Sequence, residues 1–355
     1  MKSVFEKLCL KKIMDSKKYK IYFVILLLLL VSCFLLNISL GSVNIPVEDI
    51  LSSLSGGQAS RNSWEIILWN YRFPKALVAI LVGVGLSVSG LLMQTLFRNP
   101  LAGPDVLGLS SGASMGVAFV ILGAGFVPPF LSQIFLSSYG IVIASCLGSS
   151  LVLLAVLSVS QRIRDTMAIL IVGLMFGSFT NAVINVLTYF SSAEELQKFT
   201  FWSLGSLGNQ SWQNILLLAI CCFTGLLLSA FCIKPLNALL LGEKYAKSLG
   251  INFNKTRLLI IIATSILAGS ITAFAGPIAF IGLAVPHIAK IIFQTSNHYI
   301  LFWATLLLGA IILLLCDTIA QMPGGDFTLP INAITSIIGA PIVVWLLVRK
   351  HKFML

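Results

Sequence analysis

Few side chains in this sequence have the types and spacing that chemistry needs. The three histidines, His287, His298 and His351, lie near the ends of apolar segments and are too far apart along the chain to suggest a metal cluster. The His-Glu-x-x-His pattern of zinc hydrolases does not occur, and neither does the Gly-x-x-x-x-Gly-Lys-Ser/Thr loop that cradles ATP phosphates. The sequence therefore predicts no enzyme and no cofactor held by this chain, and any ATP hydrolysis must come from a separate protein.

The seven cysteines do not form a Cys-x-x-Cys pair. Six of them lie in apolar segments, where free cysteine behaves as a small buried hydrophobe. We therefore expect neither a metal site nor a disulfide framework. The cysteines are Cys9, Cys33, Cys146, Cys221, Cys222, Cys232 and Cys316.

Charged side chains are almost absent from the apolar segments, and Asp105 and Asp317 lie near segment ends. A charge at the centre of a bilayer costs at least about 2.5–3.5 kcal/mol, so such charges mark functional sites such as proton relays. Their scarcity argues against proton-coupled transport. Sodium coupling through carbonyl oxygens stays open.

The composition places these residues in a membrane protein. Of the 355 residues, 58% are hydrophobic and 10% are charged, whereas soluble domains have about 25% charged residues. A membrane-spanning helix needs about 20 apolar residues, and the backbone must satisfy its own hydrogen bonds in lipid. The fold class is therefore all-α and integral to the membrane. Ten candidate spans follow, at 21–40, 74–97, 105–125, 139–160, 167–190, 211–233, 257–275, 278–293, 299–319 and 331–348.

The basic residues set the orientation. With the N-terminus in the cytoplasm, only Arg61, Arg72, Lys75 and Lys198 of the 23 Lys and Arg residues lie outside. Cytoplasmic loops gather such residues, so both termini are expected inside, and the net charge of +11 needs no nucleic-acid partner. Residues 1–20 and 349–355 become cytoplasmic tails around one permease domain, 21–348. A signal peptide at the start is the weaker interpretation, because no small-residue cleavage site closes the first apolar run.

Two segments between the spans have their own predicted structure. Residues 191–210 form an outer loop with a short amphipathic surface helix from Glu194 to Leu207. Residues 234–256 form the longest inner loop between spans, which Gly242 and Gly250 divide into two short helices. The two sets of five spans can be related only as an inverted repeat, an arrangement common in transporters.

Small residues are frequent within the spans, as in the stretches from Gly83 to Gly90 and from Ser110 to Ser114. Such residues let helices approach closely, and they can also line a path for a bulky solute. The sequence leaves both interpretations open.

Several motifs resemble those of one transport family. They are Arg72-Phe73-Pro74-Lys75, Phe97-Arg98-Asn99-Pro100-Leu101-Ala102-Gly103-Pro104, Leu107-Gly108-Leu109-Ser110-Ser111-Gly112-Ala113, Gly276-Pro277-Ile278-Ala279-Phe280-Ile281-Gly282-Leu283 with Pro286-His287, and Gly339-Ala340-Pro341. The chain resembles the permeases of ABC importers for iron-siderophores, haem and cobalamin, the FecCD type, from about residue 20 to the end. The resemblance implies a homodimer in the bacterial cytoplasmic membrane. It also implies two ATPase subunits inside, which hold ATP and Mg²⁺, and a substrate-binding protein outside.

The resemblance also implies roles for individual residues. ATPase coupling falls to the inner loop, at Leu240, Gly242, Glu243, Ala246 and Gly250. Cytoplasmic gates fall at Asn99 and Leu101 and at Thr166 and Met167. Binding-protein docking falls to Arg72 and Lys75, while Gln321 replaces a third basic residue of the family.

The expected function is ATP-driven import of an iron chelate, a siderophore or haem. Cobalamin import by the same machinery is the alternative, since no pocket residue in the sequence decides between them. An ion-coupled secondary carrier and an integral membrane enzyme rank lower, the latter because no catalytic constellation is evident.

Overall fold

The computed structural model describes residues 2–41, 43–105, 108–128, 130, 134–162, 166–208, 210–322 and 328–351. Throughout these ranges the regular structure is helical, which confirms the all-α prediction. The first helices are α1 (Lys2–Ser39), α2 (Val47–Leu54), α3 (Asn62–Ile67), α4 (Phe73–Leu96), α5 (Leu109–Ile121), α6 (Ser138–Arg162) and α7 (Thr166–Phe190). Then follow α8 (Ala193–Ser203), α9 (Trp212–Phe231), α10 (Ile233–Leu239), α11 (Glu243–Ser248), α12 (Phe253–Ala275), α13 (Ile281–Phe293), α14 (His298–Gln321) and α15 (Ile331–His351).

Apolar helices lie at all ten predicted positions. Seven in the described part of the chain are long and apolar enough to cross a membrane: Lys17–Ser39, Asn62–Leu96, Tyr139–Val156, Ile171–Phe190, Trp212–Phe231, Phe253–Ala275 and His298–Gln321. Three are shorter: Leu109–Ile121, Ile281–Phe293 and Ile331–Trp345. The count of ten spans and the cytoplasmic location of both termini stay predictions.

Several predicted boundaries differ from the structure by a few residues, and two of them have a clear physical cause. The third segment begins at Leu109 instead of residue 105, because the chain turns through the preceding loop and Gly108 adopts φ +77° at the start of α5. The second begins earlier than residue 74, because α3 continues through a π-helical turn, Leu68–Arg72, into α4. The residues between the first two predicted spans therefore include α2, α3 and this π-helical turn.

Helix α4 is the centre of the bundle and packs against α9, α12, α13 and α14. Close approach depends on facing glycines: a β-carbon on Gly83 or Gly309 would collide with the other's carbonyl, and a β-carbon on Gly90 would collide with Gly282. Glycine lets helix backbones come this near. The small residues of Gly83 to Gly90 therefore serve tight packing.

The outer surface helix is present as α8, and it is shorter than predicted because it ends at Ser203 and Gly205 turns the chain with φ +74°. A capping box formed by Ser192 and Glu195 begins it. On its exposed side, the hydrogen bond and charge of Lys198 hold the pKa of Glu194 below its ordinary value.

Candidate functional site

The inner loop forms two short helices, α10 and α11, separated at Gly242. Gly242 adopts φ +113° and Gly250 adopts φ +80°, conformations that other residues rarely take. Nothing lies within 4 Å of a β-carbon built at Gly242, so the glycine is needed for its backbone and not for space.

One side of this loop packs on the bundle and the other is an exposed apolar surface. Ala246 is fully buried, whereas Leu240 and Leu241 are 50% and 66% exposed. Tyr245 and Leu249 extend the exposed surface. Ala246 therefore anchors the loop to the bundle, whereas the exposed side chains form an apolar surface that a partner can contact. The side chain of Glu243 lies outside the described part of the structure.

The predicted gate residues Asn99 and Leu101 lie in the turn between α4 and α5. Asn99 is buried, and its side-chain carbonyl accepts a hydrogen bond of 2.9 Å from the backbone N–H of Leu101. This contact stabilises the turn, and the gate role stays a prediction. Thr166 and Met167 begin α7, and their side chains lie outside the described part.

Polar contacts tie this gate loop, Phe97–Gly103, to its neighbours. Arg98 donates from Nη2 to the carbonyl of Leu239 at the end of α10, over 3.0 Å. On the other side, the ring Nε2 of His287 contacts the Pro100 carbonyl at 2.8 Å. The sequence places His287 near the end of an apolar segment and carries no signal for the role of Arg98. Their contacts are long-range, so no local pattern reveals them.

Arg72 does not present its charge to the outside. It is buried, and its guanidinium donates to the carbonyls of Ile38, Ser39 and Val43, where α1 ends and the chain turns. A cation satisfies the free carbonyls at a helix C-terminus well. The structure thus gives Arg72 a role at the end of α1, and its docking role stays a prediction.

Lys75, Asp317, Asn37 and Gln321 form a polar network beside Arg72. The Lys75 ammonium lies 3.0 Å from one carboxylate oxygen of Asp317, and the carboxylate is almost fully buried. Asn37 and Gln321 donate to the other oxygen over 2.9 and 2.7 Å. Gln321, at the position where the resemblance implies a base, thus supports a carboxylate instead. The network joins α1, α4 and α14.

An open cleft of about 650 Å³ lies above this network. The cleft is lined by Lys75 and Asp317, by residues 204–208 after α8, and by residues 328–331 leading into α15. On helix α2, which does not line the cleft, the pKa of Asp49 is held below its ordinary value by hydrogen bonds from the hydroxyl and backbone N–H of Ser60. The cleft offers a paired charge rather than an open basic surface.

A smaller cavity of about 280 Å³ lies beside α5, α7 and α8, and five of its eight lining residues carry a hydroxyl or amide group. Its polar residues are Ser110, Ser111, Ser114, Asn181 and Ser203. Two Gly-x-Ser-x-Gly patterns, 108–112 and 112–116, overlap it. In hydrolases that pattern places the serine at a sharp strand-to-helix turn. In this chain the serines lie on α5, and the Ser110 hydroxyl donates a hydrogen bond to the Asp105 carboxylate. Across the described residues, no group of three His, Cys, Asp or Glu side chains can hold a metal ion.

Comparisons with known proteins identify the family of this chain. The FecCD transport family matches residues 27–349. The hemin transport system permease protein HmuU of Yersinia pestis is 34% identical over 324 residues, which cover 90% of this chain and 94% of HmuU. The vitamin B12 import system permease protein BtuC of Klebsiella pneumoniae is 34% identical over 333 residues, which cover 92% of this chain and 93% of BtuC.

Solved structures give the same result. A metal-chelate type ABC transporter in an inward-facing conformation matches with a TM-score of 0.78 and 27% identity, covering 92% of this chain and 99% of that one. PsaBC of Streptococcus pneumoniae, at 16% identity and a TM-score of 0.51, shares the fold alone. The chain belongs to the FecCD transport family and is a permease of the ABC importer type.

Proposed function

We propose that this chain is the membrane subunit of an ATP-driven importer that carries an iron chelate, a siderophore or haem, across the bacterial cytoplasmic membrane. The observation that carries the proposal is the exposed two-helix loop hydrogen-bonded to a gate loop at one end of the bundle, in a chain that matches the family over residues 27–349. The 34% identity with a hemin permease supports an iron chelate as cargo.

The exposed leucines of the inner loop are the contact for the ATPase. An apolar surface outside the bilayer core needs cover from a partner or from lipid, and a helical loop fixed by buried residues such as Ala246 can transmit a push. ATP and Mg²⁺ are held by that partner. Closure of the ATPases moves α10 and α11, and the Arg98–Leu239 contact passes the movement to the gate loop.

The gate itself comprises Asn99 and Leu101, joined by Thr166 and Met167. These residues narrow the substrate path on the cytoplasmic side, so this side stays closed while the outer side is open. Replacing Asn99 and Leu101 together with alanine should let a reconstituted permease leak substrate without ATP. A double variant that is leak-free and fully coupled would show that these residues only shape the turn.

The working unit is a dimer of this chain with two ATPases and one outer binding protein. We place the second copy against α7, because its segment Ile171–Phe190 is the least buried of the seven long apolar helices in the described part, at 17%. Native mass spectrometry of the complex should give two permeases and two ATPases. A single permease per complex would contradict the assembly.

Cobalamin is the second candidate cargo, because the BtuC relative is as similar as the hemin permease. Uptake by a strain lacking this chain separates the two. Restored growth on ferric siderophores or haem supports the first cargo, and restored use of cobalamin supports the second.

Transport in proteoliposomes tests the function against an ion-coupled carrier. Permease with ATPase and binding protein should accumulate the cargo only with ATP and Mg²⁺. Accumulation by the permease alone, driven by an ion gradient, would contradict the proposal.

A further inference from the structure

A buried histidine connects α10 to the end of α4 that leads into the gate loop. His298 is the first residue of α14 and is only 2% exposed. Its ring Nε2 lies 2.8 Å from the hydroxyl oxygen of Thr95 on α4. Its ring Nδ1 lies 3.1 Å from the side-chain oxygen of Asn237 on α10. Three helices therefore meet at one imidazole.

The surrounding groups determine the direction of each hydrogen bond. The backbone N–H of His298 donates to the Asn237 side-chain oxygen over 2.8 Å, so that oxygen faces the ring and accepts. Nδ1 must then carry the proton and donate to the same oxygen. In a neutral imidazole the other nitrogen is an acceptor, so the Thr95 hydroxyl donates to Nε2.

The Thr95 hydroxyl has a second acceptor in reach. The carbonyl of Leu91, one turn earlier on α4, lies 2.9 Å from the same oxygen. A hydroxyl has one proton, so it can serve one of these acceptors at a time. The link to His298 can therefore open without leaving the hydroxyl unpaired in a buried place, where an unmade hydrogen bond is costly.

The packing between α4 and α10 makes this link important. Leu92 and Met93 lie in one apolar cluster with Leu236 and Leu239, and apolar contacts alone tolerate sliding because they have no direction. Directional hydrogen bonds fix the relative position of the helices. Thr95 lies only four residues before Asn99, so a shift of α4 at this point moves the gate loop.

We propose that His298 is a positioning residue that joins the α10–α11 loop to α4, through Asn237 and Thr95, and carries movement of that loop to the gate. This inference rests on the proposed function, because it needs an ATPase that moves α10. The link complements the part-buried Arg98–Leu239 contact with a buried one, in which the Thr95 hydroxyl has two alternative acceptors. Such two-state elements are what couple distant sites physically.

The test uses Thr95→Val, which removes the hydroxyl at nearly constant shape, and Thr95→Ser, which keeps it. Each is purified with ATPase and binding protein in proteoliposomes, and ATP hydrolysed per cargo imported is measured. Thr95→Val should raise this ratio about fivefold or more while hydrolysis continues, and Thr95→Ser should stay near wild type. The variant Thr264→Val is the matched control, because Thr264 is equally buried and bonds only within α12.

A second variant, His298→Phe, removes both ring contacts. Combined with Thr95→Val it should be no worse than the more severe single variant, because both break one link. If Thr95→Val hydrolyses as much ATP per imported cargo as the wild type, the inference is overturned. It is also overturned if both single variants lose the ATPase, because that result would show a structural role only. If the wild-type complex shows no ATP-driven import, the proposed function fails first and the positioning role fails with it.

Discussion

At the residue scale, one carboxylate organises the end of the bundle where α1 finishes. Asp317 accepts from Asn37 and Gln321 and pairs with Lys75, so three helices depend on it. Removing one partner of a buried pair is more harmful than removing both, because it leaves a charge uncompensated. Charge pairing, rather than apolar contact alone, thus specifies where α1, α4 and α14 meet.

Replacing Asp317 with alanine should destabilise the purified permease by about 2 kcal/mol, below the range for fully buried pairs because Lys75 keeps 20% exposure. The double variant Lys75→Ala/Asp317→Ala should recover part of the loss. The exposed pair Lys198–Glu194 is the control, and Glu194→Ala should have a much smaller effect on stability than Asp317→Ala. Thermal unfolding in detergent gives the comparison. A double variant less stable than the single Asp317 variant would contradict the pairing.

Arg72 and Lys75 should respond differently to loss of charge. Arg72→Gln should increase amide hydrogen exchange in residues 38–43, because the guanidinium holds those carbonyls. Lys75→Gln should instead slow association with the binding protein at low salt, about two- to fivefold, since Lys75 contributes to the outer cleft. Stopped-flow association rates and exchange spectrometry check both effects.

The control for these two variants is Arg61→Gln. It removes the same charge from an outer arginine that stacks on Trp64 away from the network. A larger effect of Arg72→Gln than of Lys75→Gln on association would restore the docking role of Arg72.

At the element scale, the inner loop combines a rigid attachment with an exposed apolar surface. Replacing Gly242 with valine should distort the turn, because φ +113° is unfavourable for a β-branched residue even though space is free. Replacing Leu240 with aspartate should place a charge in the ATPase contact. Each variant should still insert in the membrane, yet lose the ATPase on purification or hydrolyse ATP without transport.

The matched control for the loop is Asn254→Asp, which adds a negative charge on the exposed start of α12, outside the two short helices. It should keep the ATPase and transport normally. Co-purification of Leu240→Asp and Gly242→Val with the ATPase at wild-type level, together with normal transport, would show that another element couples the two proteins.

At the scale of the whole molecule, the charge distribution predicts ten spans with both ends in the cytoplasm. Cysteines introduced at Lys18 and Lys350, in a chain without its native cysteines, should resist a membrane-impermeant thiol reagent in intact cells. A cysteine at Gln58, exposed in the outer loop, is the control and should react. Labelling of position 18 or 350 from outside would contradict the ten-span arrangement.

The sequence by itself determined the membrane class, the helix positions and the family. Apolar runs and the bias of Lys and Arg are local properties, so they can be read without knowing which helices touch. Gly242 illustrates this, since a positive φ at a break between two short helices follows from the glycine and its neighbours. Some helix ends differ from the prediction, as at Leu109, because an apolar run does not show where a turn such as the one at Gly108 delays the start of the helix.

Only the tertiary structure decided what the polar side chains do. Arg72, which the family resemblance marks for docking, holds the end of α1 in the structure, and Gln321, at a position where the resemblance implies a base, supports Asp317. His298 had no distinguishing sequence signal, and its partners lie 61 and 203 residues away along the chain. A buried polar group must find partners wherever the packed helices bring them, and packing is a property of the whole bundle.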